Sequence, residues 1–281
     1  MASIRYDKIP LTLEFGANTE KIIAYDCSLS QAADLQPVRA IGFRGVSEQT
    51  PQGARTSSVS FSYTPVLTGT NIINEIASGL KNSRASQTSG VSIRFGGVSG
   101  EGLLSSYSLN LEPYSPAQCS VNFELFGSGQ NIPVSGELKS QTVSRSSDVQ
   151  ALASNVGHSA FSSFMAGQSP ATISSEDSTG ILQSVDYSIN FEYEPVYKLG
   201  QEFPSSFLYH AATEEARVTE NVHETGISFT GKNENFQLKV KSLDNNSEMQ
   251  INMERAVVDN SQISAGANGI VETSKTLRSF Y

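Results

Sequence analysis

Residues 58–66 read SVSFSYTPV and residues 188–196 read SINFEYEPV. Five of the nine positions coincide: Ser58 and Ser188, Phe61 and Phe191, Tyr63 and Tyr193, Pro65 and Pro195, Val66 and Val196. At a sixth, Val59 and Ile189 exchange one β-branched residue for another. Both runs alternate. Val59, Phe61, Tyr63 and Pro65 share one side, opposite Ser58, Ser60, Ser62 and Thr64. Ile189, Phe191, Tyr193 and Pro195 do the same, opposite Asn190, Glu192 and Glu194. A period of two is the mark of a half-buried β-strand. Each proline lacks an N–H and predicts a common end to the two runs.

The likeness extends outward. IRFGG at 93–97 resembles ISFTG at 227–231, YSLNLE at 107–112 aligns with FQLKVK at 236–241, and SVNFE at 120–124 aligns with QINME at 250–254. Four aligned segments in constant order predict an internal duplication. Between the first two, Ile72, Ile73, Ile76 and Leu80 fall at helical spacing, with Thr70 as N-cap and Gly79 near the end, which predicts a helix over 69–81. The matching stretch predicts a shorter helix at 205–215. Residues 138–180 are rich in Ser, Gly and Thr and read as a linker or arm. The expected fold is mainly β (α+β): two tandem β-sandwich or barrel domains, each with a flanking helix. The first spans 1–137; the linker and second domain span 138–281. The expected core is Val59, Phe61, Tyr63, Leu109, Leu111, Val121 and Phe123, with Ile189, Phe191, Tyr193, Leu238, Val240, Ile251 and Met253.

Composition narrows the function. The 281 residues carry 19 Lys and Arg against 28 Asp and Glu, a formal charge of −9. A net acidic chain gains nothing from counterion release on DNA or RNA, which argues against sequence-specific nucleic-acid binding. Cys27 and Cys119 stand far apart, outside any CxxC or Cys/His cluster, so a disulfide framework is not expected and a reduced cytosol suits the chain. No apolar stretch is long enough to span a bilayer, and the opening MASIRYDKIPLTLEF lacks the apolar region of a secretory signal.

Catalytic signatures are missing from the sequence. His158, His210 and His223 do not form a zinc spacing. GGVSGEG at 96–102 matches neither a GxSxG elbow nor a phosphate-binding loop, and its glycines suit a tight turn between strands. Glu192 and Glu194 are the residues singled out. Two apart on one strand face, roughly 7 Å from each other, they have the separation of an inverting glycosidase pair. Ser62 and Thr64 occupy their places in the first copy, so they read as a solvated face or as an acidic lining that a polyanion passes without sticking. No catalytic, cofactor or metal residue is expected, and the chain reads as a non-enzyme. A carbohydrate- or receptor-binding sandwich is the alternative of another class, although the chain has no Trp.

A duplicated unit of alternating strands, with a helix after the proline of the repeated strand, resembles the tail tube proteins of bacteriophages. The opening IPLTLEFG and the stretch IIAYDCSLSQAADLQPVRAIGF, leading to SVSFSYTPV, are similar to structural proteins of tailed phages. The resemblance covers roughly 1–135 and 165–281. It implies a virion structural protein made in the bacterial cytoplasm, a homo-oligomer whose rings stack into a tube. It also implies contacts with other tail proteins, passive passage of DNA, Glu192 and Glu194 facing the lumen, and no membrane partner. Baseplate and head–tail junction proteins share such a fold and are the alternative placement.

Overall fold

The computed structural model describes residues 11–22, 24–32, 35–39, 41–42, 44–45, 48–51, 56–64, 72–82, 90–112, 117–126, 133–139, 171–174, 181–201, 203–204, 206–221, 233–241, 248–265 and 271–281. Alternating sequence dominates them, and they form strands almost throughout. The first half contributes β1 (Leu11–Phe15), β2 (Asn18–Ile22), β3 (Ala24–Ala32), β4 (Leu35–Val38), β5 (Glu48–Pro51) and β6 (Thr56–Tyr63). The helix α1 (Ile72–Asn82) follows, then β7 (Val91–Phe95), β8 (Val98–Leu111), β9 (Gln118–Leu125) and β10 (Val134–Gly136). The second half contributes β11 (Ala171–Ser174), β12 (Ile181–Val196), β13 (Ser206–Asn221), β14 (Asn233–Lys241), β15 (Glu248–Ser264) and β16 (Glu272–Phe280).

One strand organises the rest. The start of β8 pairs antiparallel with β7 on one side and β10 on the other. From Gly102 on it pairs with β9, a bulge between Leu104 and Ser106 bends it, and beyond the bulge it pairs with β12 as well. A fourteen-stranded sheet results. It consists of two runs that share β8: β10-β8-β7-β1-β2, and the ten-strand run β3-β6-β9-β8-β12-β13-β16-β15-β14-β11. β4 and β5 form a separate two-stranded sheet.

This overturns the expected pair of tandem sandwich or barrel domains. Residues 106–111 of β8 pair with 185–190 of β12, so a single sheet runs through both halves. It does not close into a barrel: among the described residues β2, β3, β10 and β11 each have a partner on one side only. Each half does not own a helix either, because the predicted helix at 205–215 is part of β13. Its sequence hides the strand. His210 is an extra residue opposite the step from Glu192 to Tyr193, and this bulge reverses the inward parity. Phe207 and Tyr209 lean inward before it, whereas Ala212, Glu214, Ala216 and Val218 do so after it. The broken alternation and the run AATEEA together mimic a helix.

The aligned segments do lie on strands, except 227–231, which falls outside the described residues. Their neighbours differ. β6 lies between β3 and β9, whereas β12 lies between β8 and β13. Pro195 does not end its strand; it faces Phe207 within the β12–β13 ladder. Beyond Asn190, β12 has lost its β8 partner, so the proline interrupts no second ladder.

Of the expected core, Val59, Phe61, Tyr63, Leu109, Leu111, Val121, Phe123, Ile189, Phe191, Leu238, Ile251 and Met253 are buried. Tyr193 is half-buried, and the side chain of Val240 lies outside the described residues. Leu11, Leu13, Val91 and Ile93 on β1 and β7 complete the same core. The helix buries Ile72, Ile73, Ile76, Ala77 and Leu80, and it packs against β1, β2 and β8. Thr70 lies outside the described residues. At the helix start, the Glu20 carboxylate accepts the Ile72 N–H at 2.8 Å. Gly96, at φ 63°, makes the β7–β8 turn that the sequence assigned to the GGVSGEG stretch. Gly97 serves a different need: a Cβ there would sit 2.3 Å from the Glu137 carbonyl oxygen of the neighbouring chain segment.

Candidate functional site

The ten-strand run has a core face and a polar face, and the register fixes what the polar face carries. Across β3, β6, β9, β8 and β12, one row reads Asp26, Ser62, Ser120, Ser108, Ser188. The adjacent row reads Ser28, Ser60, Asn122, Ser106, Asn190. These side chains are exposed or half-buried. Nine of the ten are Ser or Asn, and none is a cation. Short side chains satisfy one another locally: Ser62 Oγ lies 3.5 Å from Ser120 Oγ, and the Asp26 carboxylate accepts the Ser62 N–H at 2.9 Å. Further along the first row stand Glu215 and Arg278. Arg278 is held by Glu215 at 3.0 Å and Asp259 at 3.1 Å, so its charge is spent within the chain.

Glu192 and Glu194 are both exposed on this side of β12. Glu194 takes His210 Nε2 at 2.8 Å. An exposed pair, one member engaged by an exposed imidazole, sits in no enclosed site of the kind acid–base chemistry needs. His158 and His223 lie outside the described residues. Among the described residues no group of three His, Cys, Asp or Glu side chains is placed to hold a metal. Cys27 and Cys119 are both free thiols.

Sequence reasoning missed a buried polar cluster. Glu214 on β13 is completely buried. Its Oε1 takes Lys81 Nζ at 2.5 Å and the Tyr187 hydroxyl, and its Oε2 takes the Tyr281 hydroxyl at 2.8 Å. Lys81 also donates to the Asn252 carbonyl at 2.9 Å and lies over the Tyr281 ring, 5.6 Å from its centroid. The Tyr281 hydroxyl in turn accepts the Glu254 N–H at 3.0 Å. Burial, then the adjacent Glu214 charge, holds the Tyr187 hydroxyl well above its ordinary range. Burial pushes Tyr281 up to about 12. A lysine, a carboxylate and two tyrosines have catalytic chemistry, yet solvent does not reach the carboxylate. The cluster is a latch: it ties the last turn of α1 to β12, β13, β15 and the end of the chain. In sequence Glu214 is one of two adjacent glutamates, and only the His210 bulge turns it inward.

A cleft of about 310 Å³ lies where the end of the β12–β13 hairpin meets β3, β6 and β9. It is lined by Ser58, Asn122 and Glu124 and by Phe126, Tyr197 and Phe207. Burial raises the Glu124 carboxyl above its ordinary range. Phe126 and Phe207 are in ring contact, and Ser30 Oγ and Ser58 Oγ lie 2.7 Å apart. Large apolar groups are exposed nearby at Tyr197, Leu199 and Leu208. The β4–β5 hairpin exposes others at Val38 and Ile41.

No protein-family model matches this chain, and no curated protein matches it. No described helix is long and apolar enough to cross a membrane.

Proposed function

We propose that the chain is a structural subunit of a bacteriophage tail, assembling with copies of itself into rings that stack into a DNA-conducting tube. The observation that carries this reading is the Ser/Asn face across β3, β6, β9, β8 and β12, roughly 20 Å wide at ordinary strand spacing. A conduit for DNA must not grip phosphate. Each lysine or arginine that neutralises a phosphate gains free energy by releasing counterions. Across these five strands the two rows carry no cation, and on a chain of charge −9 they offer no such gain. The Ser/Asn wall, with Glu192 and Glu194 beside it, is the proposed lumen.

Assembly has its means in the same fold. Among the described residues β3 and β11 each have a neighbour on one side only, so each end of the ten-strand run can take another strand. Heterologous contacts of that kind close into rings when the rotation between copies closes. The subunit would meet other tail proteins at the ends of the tube, within a virion built in the bacterial cytoplasm. The test is electron microscopy with particle mass across a concentration series. Rings or tubes with a central channel are the expected outcome. A particle that stays monomeric up to its solubility limit overturns the reading.

A further inference from the structure

We infer that the β4–β5 hairpin of one copy seats its tip in the Glu124 cleft of a second copy, a contact that rests on the assembly reading above. Three features of the hairpin point outward. Among the described residues, β4 and β5 pair with each other and with no strand of the large sheet. A two-stranded ribbon of four residues a side is marginal in water without a surface to cover it. Its tip offers Ile41, fully exposed, between Arg39 and Arg44, both exposed. Neither arginine has a partner among the described residues.

The cleft has the complementary features. Phe126, Tyr197 and Phe207 provide an apolar and aromatic lining of the kind that takes an isoleucine and stacks a guanidinium. Glu124 is exposed at the cleft, and no cation meets it among the described residues. A carboxylate beside an aromatic cleft fits an incoming arginine. Hairpin and cleft are joined at the root: β3 and β6, which flank the hairpin in sequence, supply Ser30 and Ser58 to the cleft. Tip and cleft are different surfaces, so the contact is heterologous and passes from copy to copy.

Charge exchange tests it. Unaltered protein, Glu124→Arg, Arg39→Glu/Arg44→Glu and Ile41→Asp are compared by particle mass over one concentration series. Each variant alone is expected to need at least about tenfold more protein to associate. An equimolar mixture of Glu124→Arg with Arg39→Glu/Arg44→Glu is expected to associate, at least in pairs, at the concentration the unaltered protein needs, because each contact between the two variants restores the attraction. Unaltered protein that assembles alongside variants that assemble equally well overturns the hairpin contact and leaves the assembly reading standing. Unaltered protein that never assembles overturns both. Variants that fail singly and also fail mixed overturn it too, since a tip seated in its own cleft cannot be rescued in trans. If Glu124→Arg does not fold, Ile41→Asp and Tyr197→Ala, both at exposed positions, decide: unchanged assembly overturns the contact.

Discussion

Ser58–Tyr63 and Ser188–Tyr193 are nearly the same hexapeptide in two different settings. In β6 the stretch has a partner on both edges throughout. Phe61 is 2% exposed, stacks on Phe123 with centroids 6.2 Å apart, and touches Tyr63. In β12 the stretch loses its β8 partner after Asn190. Phe191 is 5% exposed, but its aromatic neighbours are Tyr193 and Tyr209, both half-buried on the projecting hairpin. The repeat specifies a strand and its inward face. What that face is worth depends on neighbours that the repeat does not specify.

Truncating the two phenylalanines breaks the equivalence most directly. Phe61→Ala leaves a cavity between strands held on both sides, and its cost is expected at about 3–5 kcal/mol. Phe191→Ala leaves one beside a hairpin end that has room to collapse, and about 2 kcal/mol is expected. Urea unfolding of both variants measures the gap. Equal losses would mean that the hairpin end is packed as rigidly as β6.

The latch between the halves comes next. Lys81→Met strands the Glu214 carboxylate in a site without solvent, at an expected cost of about 3 kcal/mol. Lys81→Met combined with Glu214→Leu is expected to recover most of that loss, since two apolar groups replace a desolvated pair. A double-mutant cycle in urea reads the coupling directly. Additive losses would show that Lys81 and Glu214 act independently.

Alkali separates the regions more gently. Burial pushes the Cys119 thiol, in the first-half core, up to about 12 from 9.0. The native state therefore keeps a proton that the unfolded chain gives up. The stabilisation is complete below pH 9 and is lost as pH rises toward 12, at about 1.4 kcal/mol per pH unit for a fully shifted group. Cys27, at about 11 and only partly buried, adds in the same direction. Buried tyrosines, Tyr63 and Tyr107 among them, join above pH 10. Between pH 9 and 10, Cys119→Ala is expected to flatten the decline seen by thermal unfolding. An unchanged slope would remove Cys119 as its source.

Much of this was legible in the sequence. Alternation around Phe61, Tyr107 and Phe123 marked strands and their inward residues, and the spacing from Ile72 to Leu80 marked α1. What failed was local or long-range. The His210 bulge is a single inserted residue, and it turned a strand into an apparent helix and concealed Glu214. The pairing of β8 with β12 joins residues about 80 apart and carries no sequence signal beyond two alternating runs. Two similar half-chains therefore read as two domains. The Ser/Asn wall was visible only one strand at a time, because register alone sets Ser62, Ser120, Ser108 and Ser188 in a row.

The smallest effect is expected at the shared tyrosine of the second copy. The Tyr193 hydroxyl is buried and has no hydrogen-bond partner among the described residues, and Tyr209 OH beside it is in the same condition. The rings lie 5.9 Å apart, so packing survives removal of either oxygen. Tyr193→Phe removes a desolvated group that forms no bond and leaves the ring contacts in place. It is expected to change stability by less than about 0.5 kcal/mol or to raise it slightly. Urea unfolding at neutral pH suffices for the measurement. A loss above about 1 kcal/mol would show that the hydroxyl is bonded in solution, and the hairpin end would then be a more ordered part of the fold than its single ladder implies.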